Sequence, residues 1–413
     1  MTDKPLLAVV YSPRSRPWME ISEMASDLCR ILWVVDESEL DTTAKAIRKV
    51  GKVVNVEGLC PEEVIQRVDA ERPDGITCYF DTDLHRQAWL AAALGLPSTS
   101  VRAVARLNDK LLQRQALEEA GVPVPRFCEV KEGVDAEEID RLVSIVGFPA
   151  LLKPRNGTAC RGIYLVENVS DLCRALDETE HPSTLIYEER MEDLPPTDAP
   201  YADRISVETI VSQGVHSHLG VTGLFPMMPP FRSQGGFFPA DLPKSDIPEV
   251  FDLVTSAIKA LGSDFGCYRT EIKLTPQGRK IIEINGRPTG LSPATIKLAS
   301  GVQLMKLGMR LALGEHVVVD GPVPCERIAY RFYREPPLTA TKVTGITGLH
   351  QLGEKAGVLQ IDVHKEVGDP VDWRNGSLDK VFQVTGTVGD YAELADAYSA
   401  CSADSYVTYE HEA

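Results

Sequence analysis

The stretch that decides the fold is residues 268–290, which read YRTEIKLTPQGRKIIEINGRPTG. Two short runs of alternating apolar residues, 270–274 and 280–285, lie on either side of a Pro-Gln-Gly turn at 276–278. Alternation with a period of two around a turn of this composition predicts a β-hairpin.

Acidic side chains are placed symmetrically in this hairpin. Glu271 and Glu283 should lie nearly opposite one another, and Glu283, Asn285 and Arg287 follow at every second residue, so they share one face of the strand. Two carboxylates and an amide suit Mg²⁺, which takes few protein ligands and completes its shell with water and phosphate oxygens. The planar guanidinium suits a phosphate or a developing oxyanion. Taken alone, the hairpin would more often be an antiparallel pair with an ordinary solvated polar face, so the metal site depends on the motifs that accompany it.

Composition limits the classes of partner. The chain has 413 residues, and at about 150 residues per domain this length predicts two or three domains. With 43% hydrophobic and 25% charged residues, the composition is that of an ordinary soluble globular protein. Its 43 basic and 60 acidic residues give a net charge of −17, which disfavours nucleic acid or an anionic membrane as the main partner. An anionic nucleotide would have to be bound by a local cluster of cations.

Neither the first residues of the sequence nor its cysteine usage indicates export. The first apolar run is broken by Ser12 and Pro13, so it predicts neither a signal peptide nor a membrane span, and no later run is long enough to span. The nine cysteines are odd in number, scattered and never in CxxC spacing. We therefore expect reduced thiols and a cytoplasmic location.

The first part of the chain alternates apolar runs with helical patterns. Runs at 6–12, 31–35, 52–56 and 75–80 predict four buried strands of a parallel sheet covered on both faces. Asp81 and Asp83 follow the fourth run as DTD. A phosphatase nucleophile pair is disfavoured because it normally follows the first strand of its domain, so helix-capping or substrate-facing carboxylates are the preferred interpretation.

Two lysines and a loop of small residues follow. Lys110 begins a helix that Asp109 can cap, and by itself it is an ordinary surface residue. Lys153 ends an apolar strand, where an ammonium needs a partner. The loop at 155–162, RNGTACRG, has backbone N–H groups that can close over phosphates. Neither GxxxxGK[ST] nor GxGxxG occurs, which argues against P-loop and Rossmann sites.

A further strand and a second hairpin are predicted downstream. The run 184–191 leads from apolar residues into Glu188, Glu189 and Arg190, which by themselves fit a strand emerging into solvent. The runs 205–213 and 214–225 form a hairpin with its turn at Gln213-Gly214.

Two features near this hairpin leave alternatives open. His216 and His218 share a strand face, but a zinc pair lacks a third ligand nearby in sequence, so substrate contact for one histidine or simple surface placement is preferred. The segment 226–243 is too rich in Gly and Pro for regular structure and predicts a lid, in which Gly235-Gly236 would close over the site. A helix is expected at 245–261.

These motifs together resemble the ATP-grasp superfamily, and most of all its carboxylate–amine ligases of the L-amino acid ligase type. The resemblance covers residues 1–320 and is carried, in order, by DGITCYFDTDLHRQAWLAAALGLPS, NDKLLQRQALEEAGVPVPRF, FPALLKPRNGTACRGI, LIYEERM, ISVETIV and TEIKLTPQGRKIIEINGRPTG. It implies an ATP-grasp fold of mixed α/β and α+β type with an N-terminal parallel α/β domain. We expect the N-terminal domain at 1–105 and an ATP-grasp domain at 106–320, with a small lobe at about 125–187 and a large lobe at about 188–320. A β-rich C-terminal subdomain is expected at 321–413.

The resemblance also implies how ATP is held. The phosphates would be contacted by two lysines and a mobile loop, and the adenine by the hinge after the small lobe. The residues concerned are Lys110 and Lys153, the loop residues Thr158, Ala159, Arg161 and Gly162, and the hinge residues Glu188, Glu189, Arg190 and Met191. The cofactors implied are ATP and Mg²⁺, for which Mn²⁺ can substitute.

Metal and catalytic roles follow from the same resemblance. Glu271, Glu283 and Asn285 would hold Mg²⁺, and Arg287 would contact the transferred phosphoryl group. Where many relatives have a ribose-binding glutamate before the SVE triplet, this chain has Arg204, so Asp203 is the substitute considered. Glu208 and His218 are the candidates for removing a proton from the amine.

The activity implied is formation of an amide or peptide bond between an amino acid or related carboxylate and an amine through an acyl phosphate, with release of ADP and phosphate. The alternatives are an ATP-grasp carboxylase or ligase acting on a non-amino-acid carboxylate, and a nucleotide-binding regulatory protein without turnover. The partners expected are small-molecule substrates, with neither nucleic acid nor membrane, and a homodimer is left open.

Overall fold

The computed structural model of this chain describes residues 4–40, 43–158, 160–179, 181–195, 199–288 and 290–412. Its strands form four sheets of four, four, eight and two strands. Across these described ranges, no helix combines the length and apolar character that crossing a membrane requires. Ala159, one of the predicted loop residues, lies outside them.

The first sheet is the predicted parallel one. Its strands, in the order β3-β2-β1-β4, are all parallel to their neighbours. Alternate residues of β1 and β2 enter two different apolar clusters, so helices cover the sheet on both faces. Strands β1 to β4 are Leu6–Tyr11, Arg30–Val35, Lys52–Asn55 and Gly75–Cys78. Helices α1 to α5 are Trp18–Ala25, Thr43–Ile47, Pro61–Asp69, Leu84–Leu94 and Val101–Asn108.

A small antiparallel sheet comes next, in the order β5-β8-β6-β7. Strands β5 to β8 are Phe127–Glu129, Ala150–Pro154, Tyr164–Val166 and Leu185–Glu189, and helices α6 to α8 are Lys110–Glu119, Ala136–Val146 and Val169–Asp177. The side chain of Asp109 accepts hydrogen bonds from the backbone N–H groups of Leu111 and Leu112, as the predicted helix cap requires.

The eight-stranded sheet has the order β13-β12-β9-β10-β11-β14-β17-β16, and β15 pairs with β18 in a sheet of their own. Strands β9 to β18 are Arg204–Ser212, Val215–Leu224, Gly235–Phe238, Gly266–Thr275, Gly278–Asn285, Ile328–Arg334, Ala340–Ile346, Val358–Val363, Phe382–Val388 and Val407–His411. Helices α9 to α13 are Ile247–Ala260, Ser292–Ser300, Leu304–Ala312, Leu349–Gly353 and Tyr391–Ser402. Both predicted hairpins, β9-β10 and β12-β13, are confirmed, and Gln213 and Gly214 form the first turn with φ of 51° and 79°.

The two faces of this sheet differ in chemistry. One face packs apolar residues such as Val207 and Ile272 against α9 and α6. Successive side chains of a strand point to opposite faces, so the alternate residues of β9, β12 and β13 face the other way. Most of them are polar or charged, and Ile210 and Cys267 join a separate apolar cluster on that face. Strands β14, β17 and β16 extend the same sheet, so the β-rich C-terminal part of the chain continues it.

One expectation about the segment 226–243 is wrong. It contains strand β11, whose Gly235 and Gly236 pair with Phe332 and Arg331 of β14 and are buried. A Cβ added to Gly235 would lie 1.9 Å from the carbonyl oxygen of Arg331. These glycines therefore allow close approach of two strands and are not the tip of a closing lid.

Candidate functional site

Strands β12 and β13 bring the predicted carboxylates together. The register pairs Glu271 with Glu283 and Arg269 with Asn285, and a bulge after Glu271 leaves Ile282 as the extra residue of β13. These four polar side chains form two neighbouring cross-strand pairs on the polar face of the sheet. Among the described residues no cluster of three His, Cys, Asp or Glu side chains forms a metal site. Two carboxylates and an amide are nevertheless a donor set that fits Mg²⁺ bound together with phosphate oxygens.

Lys110 lies directly against this pair of carboxylates. Its Nζ is 3.1 Å from Oε1 of Glu283 and donates a hydrogen bond of 2.8 Å to the carbonyl oxygen of Gly157. Lys110 therefore bridges β13 and the loop at 155–162, and its position at the start of α6 is fixed by the Asp109 cap.

Lys153 reaches the same region through a buried network. Its ammonium pairs with Glu188, whose other oxygen lies 3.2 Å from Nε of Arg114, and Arg114 donates a hydrogen bond of 2.5 Å to the carbonyl of Ile282. Burial opposes the charged form of Glu188, but Arg114 and Lys153 outweigh it and hold the pKa of this carboxyl below its ordinary value. Burial lowers the pKa of Lys153, and the ion pair with Glu188 opposes that shift.

The predicted hinge is already engaged in hydrogen bonds. The Glu188 side chain is committed to Lys153 and Arg114, so its carboxylate is not free to contact a base. The backbone N–H groups of Glu189 and Arg190 donate to the carbonyls of Arg126 and Pro149. Adenine contacts at this hinge would therefore come from the remaining backbone groups near Met191, the residue that follows Arg190.

The loop at 155–162 approaches the carboxylates. The thiol of Cys160 faces Arg204, Glu271, Glu283 and Lys110, and burial raises its pKa to about 11. Thr158 accepts a backbone hydrogen bond of 3.3 Å from Arg161, and Gly162 has a φ of 66°. Buried Nε of Arg161 makes no hydrogen bond among the described residues, so Arg161 retains an unused donor.

Arg204, which departs from the family pattern, contacts the predicted metal ligand Glu271. Its Nη2 is 2.8 Å from Oε2 of Glu271, and Nε of Arg269 is 3.3 Å from the other oxygen. Burial raises the pKa of Glu271, but Arg269 and Arg204 together hold it below its ordinary value. Asp203, the considered ribose contact, pairs with Lys273 and accepts a hydrogen bond from the backbone of Leu194.

Arg287 is paired across the molecule. Its Nε donates to Oδ1 of Asp81 at 2.8 Å, its Nη2 donates to Oδ2, and its guanidinium carbon lies 5.4 Å from the ring centroid of Phe80. Asp81 and Phe80 follow β4 of the parallel sheet. Asp81 of the DTD segment therefore contacts Arg287, whereas Asp83 accepts a hydrogen bond from Ser12.

The two candidate bases lie on opposite faces of the sheet. Glu208 pairs in register with Arg269 and is 1% exposed, with its Oε1 3.8 Å from Nη1 of Arg269. Burial raises the pKa of Glu208 to about 7, against the pull of Arg269. His218 is on the α9 face.

His218 is held there by two hydroxyls. Thr209 bonds its Nδ1 and Thr255 its Nε2, both at 2.8 Å, and its ring stacks on Phe251. Burial lowers its pKa to about 4. Because the face of the sheet that carries Glu271 is the other one, the geometry gives no support to His218 as a base. His216 bonds the Gly214 carbonyl, and neither histidine belongs to a metal cluster in the described structure.

The site thus unites Lys110, Lys153, Arg287, Glu208, Glu271, Glu283 and Asn285. Sequence reasoning missed Asp81 as the partner of Arg287, Arg269 beside Glu208, and Arg114 behind Lys153. Their signal in the sequence is weak: Arg269 precedes Glu271 by two residues and so shares its strand face. Asp81 and Arg114 give no local signal of their partners.

Comparisons with known proteins agree on the fold. A family model described as ATP-grasp domain matches residues 107–291. An uncharacterized protein of Sinorhizobium fredii, y4rH, is 29% identical over 321 residues, and the match covers 76% of this chain and 61% of y4rH. The chain thus spans about six-tenths of that relative's length.

Two further similarities involve ligases. The D-alanine--D-alanine ligase of Desulforudis audaxviator is 28% identical over 210 residues, covering 50% of this chain and 67% of the ligase. The crystal structure of an L-amino acid ligase from Bacillus licheniformis superimposes with a TM-score of 0.77 over 100% of both chains at 19% identity, which is a likeness of fold.

Proposed function

The chain belongs to the ATP-grasp superfamily through residues 107–291, and from this premise we propose that it is an ADP-forming ligase that joins an amino acid carboxylate to an amine. The observation that carries the proposal is the ion pair of Lys110 with Glu283, whose cross-strand partner is Glu271. Two acids and a lysine at one point of the sheet suit a metal-bound triphosphate, which needs both cation coordination and charge neutralisation.

The register supports an orientation for the nucleotide. The Glu271–Glu283 pair would hold Mg²⁺, which when bound neutralises phosphate charge and polarises the phosphorus under attack. Lys273 and Lys280 pair on one side of it, with Lys280 3.3 Å from the hinge residue Glu189. The base and ribose would lie toward this side, and the γ-phosphoryl group toward Asn285 and Arg287.

The proposed reaction takes place beside Arg287 in two steps. A substrate carboxylate oxygen attacks the γ-phosphorus, the bond from that phosphorus to the β–γ bridging oxygen breaks, and ADP leaves. The resulting acyl phosphate is attacked at its carbonyl carbon by the amine, and phosphate leaves with the bonding electrons. Arg287 is placed to stabilise the anionic oxygen of the tetrahedral intermediate.

Glu208 is the residue proposed to take the proton of the attacking amine. It faces the same side of the sheet as Glu271 and lies one cross-strand pair further toward Asn285 and Arg287. A carboxyl with a pKa of about 7 is suited to proton transfer near neutral pH. The buried position also keeps water from an acyl phosphate.

The test measures phosphate release from Mg·ATP with a panel of carboxylates, using hydroxylamine as the common amine. The panel contains the standard amino acids, simple carboxylic acids and bicarbonate, so a carboxylase or a ligase for other acids is recognised by its substrate. An acyl phosphate appears as a hydroxamate, detected by mass.

Glu283→Gln should lower phosphate release at least about a hundredfold, because loss of a metal ligand removes several kcal/mol of transition-state stabilisation. The matched control is Glu137→Gln, an exposed glutamate of α7. Near-normal release by Glu283→Gln, or no release by the unaltered protein with any acid, would refute the proposal. The second result would instead favour a non-catalytic nucleotide-binding protein.

A further inference from the structure

The carboxyl ends of β1 and β4 form a crevice beside the site. The chain winds from β1 to β2 and β3 on one side and then crosses to β4 on the other, so β1 and β4 flank the point where the strand order reverses. Ligands of open parallel sheets bind outside the carboxyl ends of the strands at such a point.

Loops from these two strands contact the residues that follow β13. Arg16, from the loop after β1, donates a hydrogen bond of 2.9 Å to the carbonyl of Gly290. Asp81, in the turn after β4, pairs with two nitrogens of Arg287. Asn108 donates a hydrogen bond of 3.0 Å to the backbone carbonyl of Asp81 and so fixes that turn. The crevice therefore meets the end of the site where the reacting carboxylate would lie.

The pairing of Arg287 with Asp81 poses a problem of charge. The Arg287 guanidinium, which would face the substrate carboxylate, already forms an ion pair with the carboxylate of Asp81. Both side chains are still partly exposed, 12% for Arg287 and 15% for Asp81. A simple carboxylic acid entering here would bring its anion against that of Asp81. An α-amino acid brings a cation and an anion a few bond lengths apart, which matches an Asp next to an Arg.

We propose, building on the ligase function above, that Asp81 binds the α-ammonium group of the substrate whose carboxylate is phosphorylated. The site then takes α-amino acids and discriminates against acids that lack the amino group. Asp83 is not the group concerned, because it is 6% exposed and accepts a hydrogen bond of 2.9 Å from Ser12. In the part of the chain that the structure describes, the carboxylate of Asp81 contacts Arg287.

A purely structural role is the competing explanation for Asp81. If it only orients Arg287, its removal would slow every carboxylate to the same degree. If it binds the ammonium group, its removal would slow amino acids far more than their des-amino analogues. The ratio of the two rates therefore separates these explanations, whereas either rate alone does not.

The experiment compares kcat/KM for three matched pairs of acids with Mg·ATP and hydroxylamine. The pairs are L-alanine with propanoate, L-leucine with 4-methylpentanoate and L-phenylalanine with 3-phenylpropanoate. The unaltered protein should prefer the amino acid of the best pair at least about a thousandfold, because a site built to bond a substrate N–H strongly rejects the analogue without it.

Asp81→Asn should lower that preference at least about a hundredfold and leave the KM for ATP within about twofold, since the nucleotide lies on the far side of Arg287. Asp81→Glu keeps the charge and should keep most of the preference. The matched control is Asp69→Asn, which should behave as the unaltered protein. Asp69 is exposed at the end of α3, a helix of the same N-terminal parallel-sheet region.

Each outcome decides the matter. An unchanged ratio in Asp81→Asn, or equal use of both acids by the unaltered protein, overturns the role of Asp81 and leaves the ligase function standing. No phosphate release with any acid overturns both. If Asp81→Asn does not fold, as judged by its thermal unfolding, the preference of the unaltered protein and of Asp81→Glu still tests the proposal.

Discussion

Glu208→Gln should make this protein more stable and less active at the same time. Glu208 is 1% exposed, its Oε1 lies 3.8 Å from Nη1 of Arg269, and neither of its oxygens makes a hydrogen bond of ordinary geometry. Burial outweighs Arg269 and the nearby side chain of Ser292, which both favour its ionised form. An ionised carboxylate in such a position is costly, because burial removes its hydration without supplying full compensation. Glutamine has nearly the same shape and carries no charge.

The size of the effect follows from the pKa of Glu208. Its ordinary value is 4.5 and burial raises it to about 7. Between these values the folded protein keeps a proton that the unfolded chain has released, so the contribution of Glu208 to the free energy of unfolding is greatest below 4.5 and is lost as the pH rises through 7. The loss is about 3 kcal/mol. With about 2.1 cal/mol/K of unfolding entropy per residue, 3 kcal/mol is about 3 to 4 °C in Tm for a cooperative transition of 413 residues.

The assay is thermal unfolding of the unaltered protein and of Glu208→Gln at pH 5 and at pH 8. The variant should melt at nearly the same temperature at the lower pH and about 3 °C higher at pH 8. In the ligation assay it should lose the inflection of kcat near pH 7 and at least about a hundredfold in rate, since the amine has no base.

Glu335→Gln is the matched control. Glu335 is also 1% exposed, burial raises its pKa to about 7 as well, and neither of its oxygens is hydrogen-bonded. It follows β14 and lies outside the site, so its variant should gain stability at pH 8 and keep its ligation rate. If Glu208→Gln retains the pH profile and the rate of the unaltered protein, Glu208 is not the base. If neither variant gains stability at pH 8, the argument that burial destabilises the ionised carboxylates is wrong.

Two further substitutions test the arginine and the buried network. Arg287→Ala should bind a non-hydrolysable ATP analogue within about threefold of the unaltered protein and ligate at least about a hundredfold more slowly; product formation at the normal rate would exclude its proposed role. Glu188→Gln should cost about 3 to 5 kcal/mol in urea unfolding, because it leaves Lys153 and Arg114 as buried cations with no anion between them. A loss below about 1 kcal/mol would mean that water or another group compensates them.

Much of the fold could be predicted because its signals are local. The four parallel strands and both hairpins are visible as period-two runs or apolar runs between turns, and the opposition of Glu271 and Glu283 follows from their spacing about the turn. Strand β11 could not be found in this way. Gly235 and Gly236 indicate a loop by composition, yet here they are glycines because neighbouring strands approach too closely for a side chain.

The partners within the site depend on distant parts of the chain. Arg287 and Asp81 are 206 positions apart, and Arg114 and Glu188 are 74 apart. A single sequence carries no local pattern that joins such residues, so their types could be noticed but their contacts could not. The same limit explains His218, a candidate base only by its expected proximity to the site, because its strand turns the ring to the α9 face.

The ion pairs of the site explain how a chain with a net charge of −17 can bind a polyanion. Four cations there already have an acidic partner: Lys110 pairs with Glu283, Lys153 with Glu188, Arg204 with Glu271 and Arg287 with Asp81. Binding of a nucleotide is therefore an exchange of partners and not the filling of an empty basic cavity. Glu271 and Glu283, which would hold Mg²⁺, are the partners that Arg204 and Lys110 would give up. Consequently the proposed metal ligands and the proposed phosphate-binding cations are coupled through their contacts in space, and a substitution in either group alters the charge that the other presents to ATP.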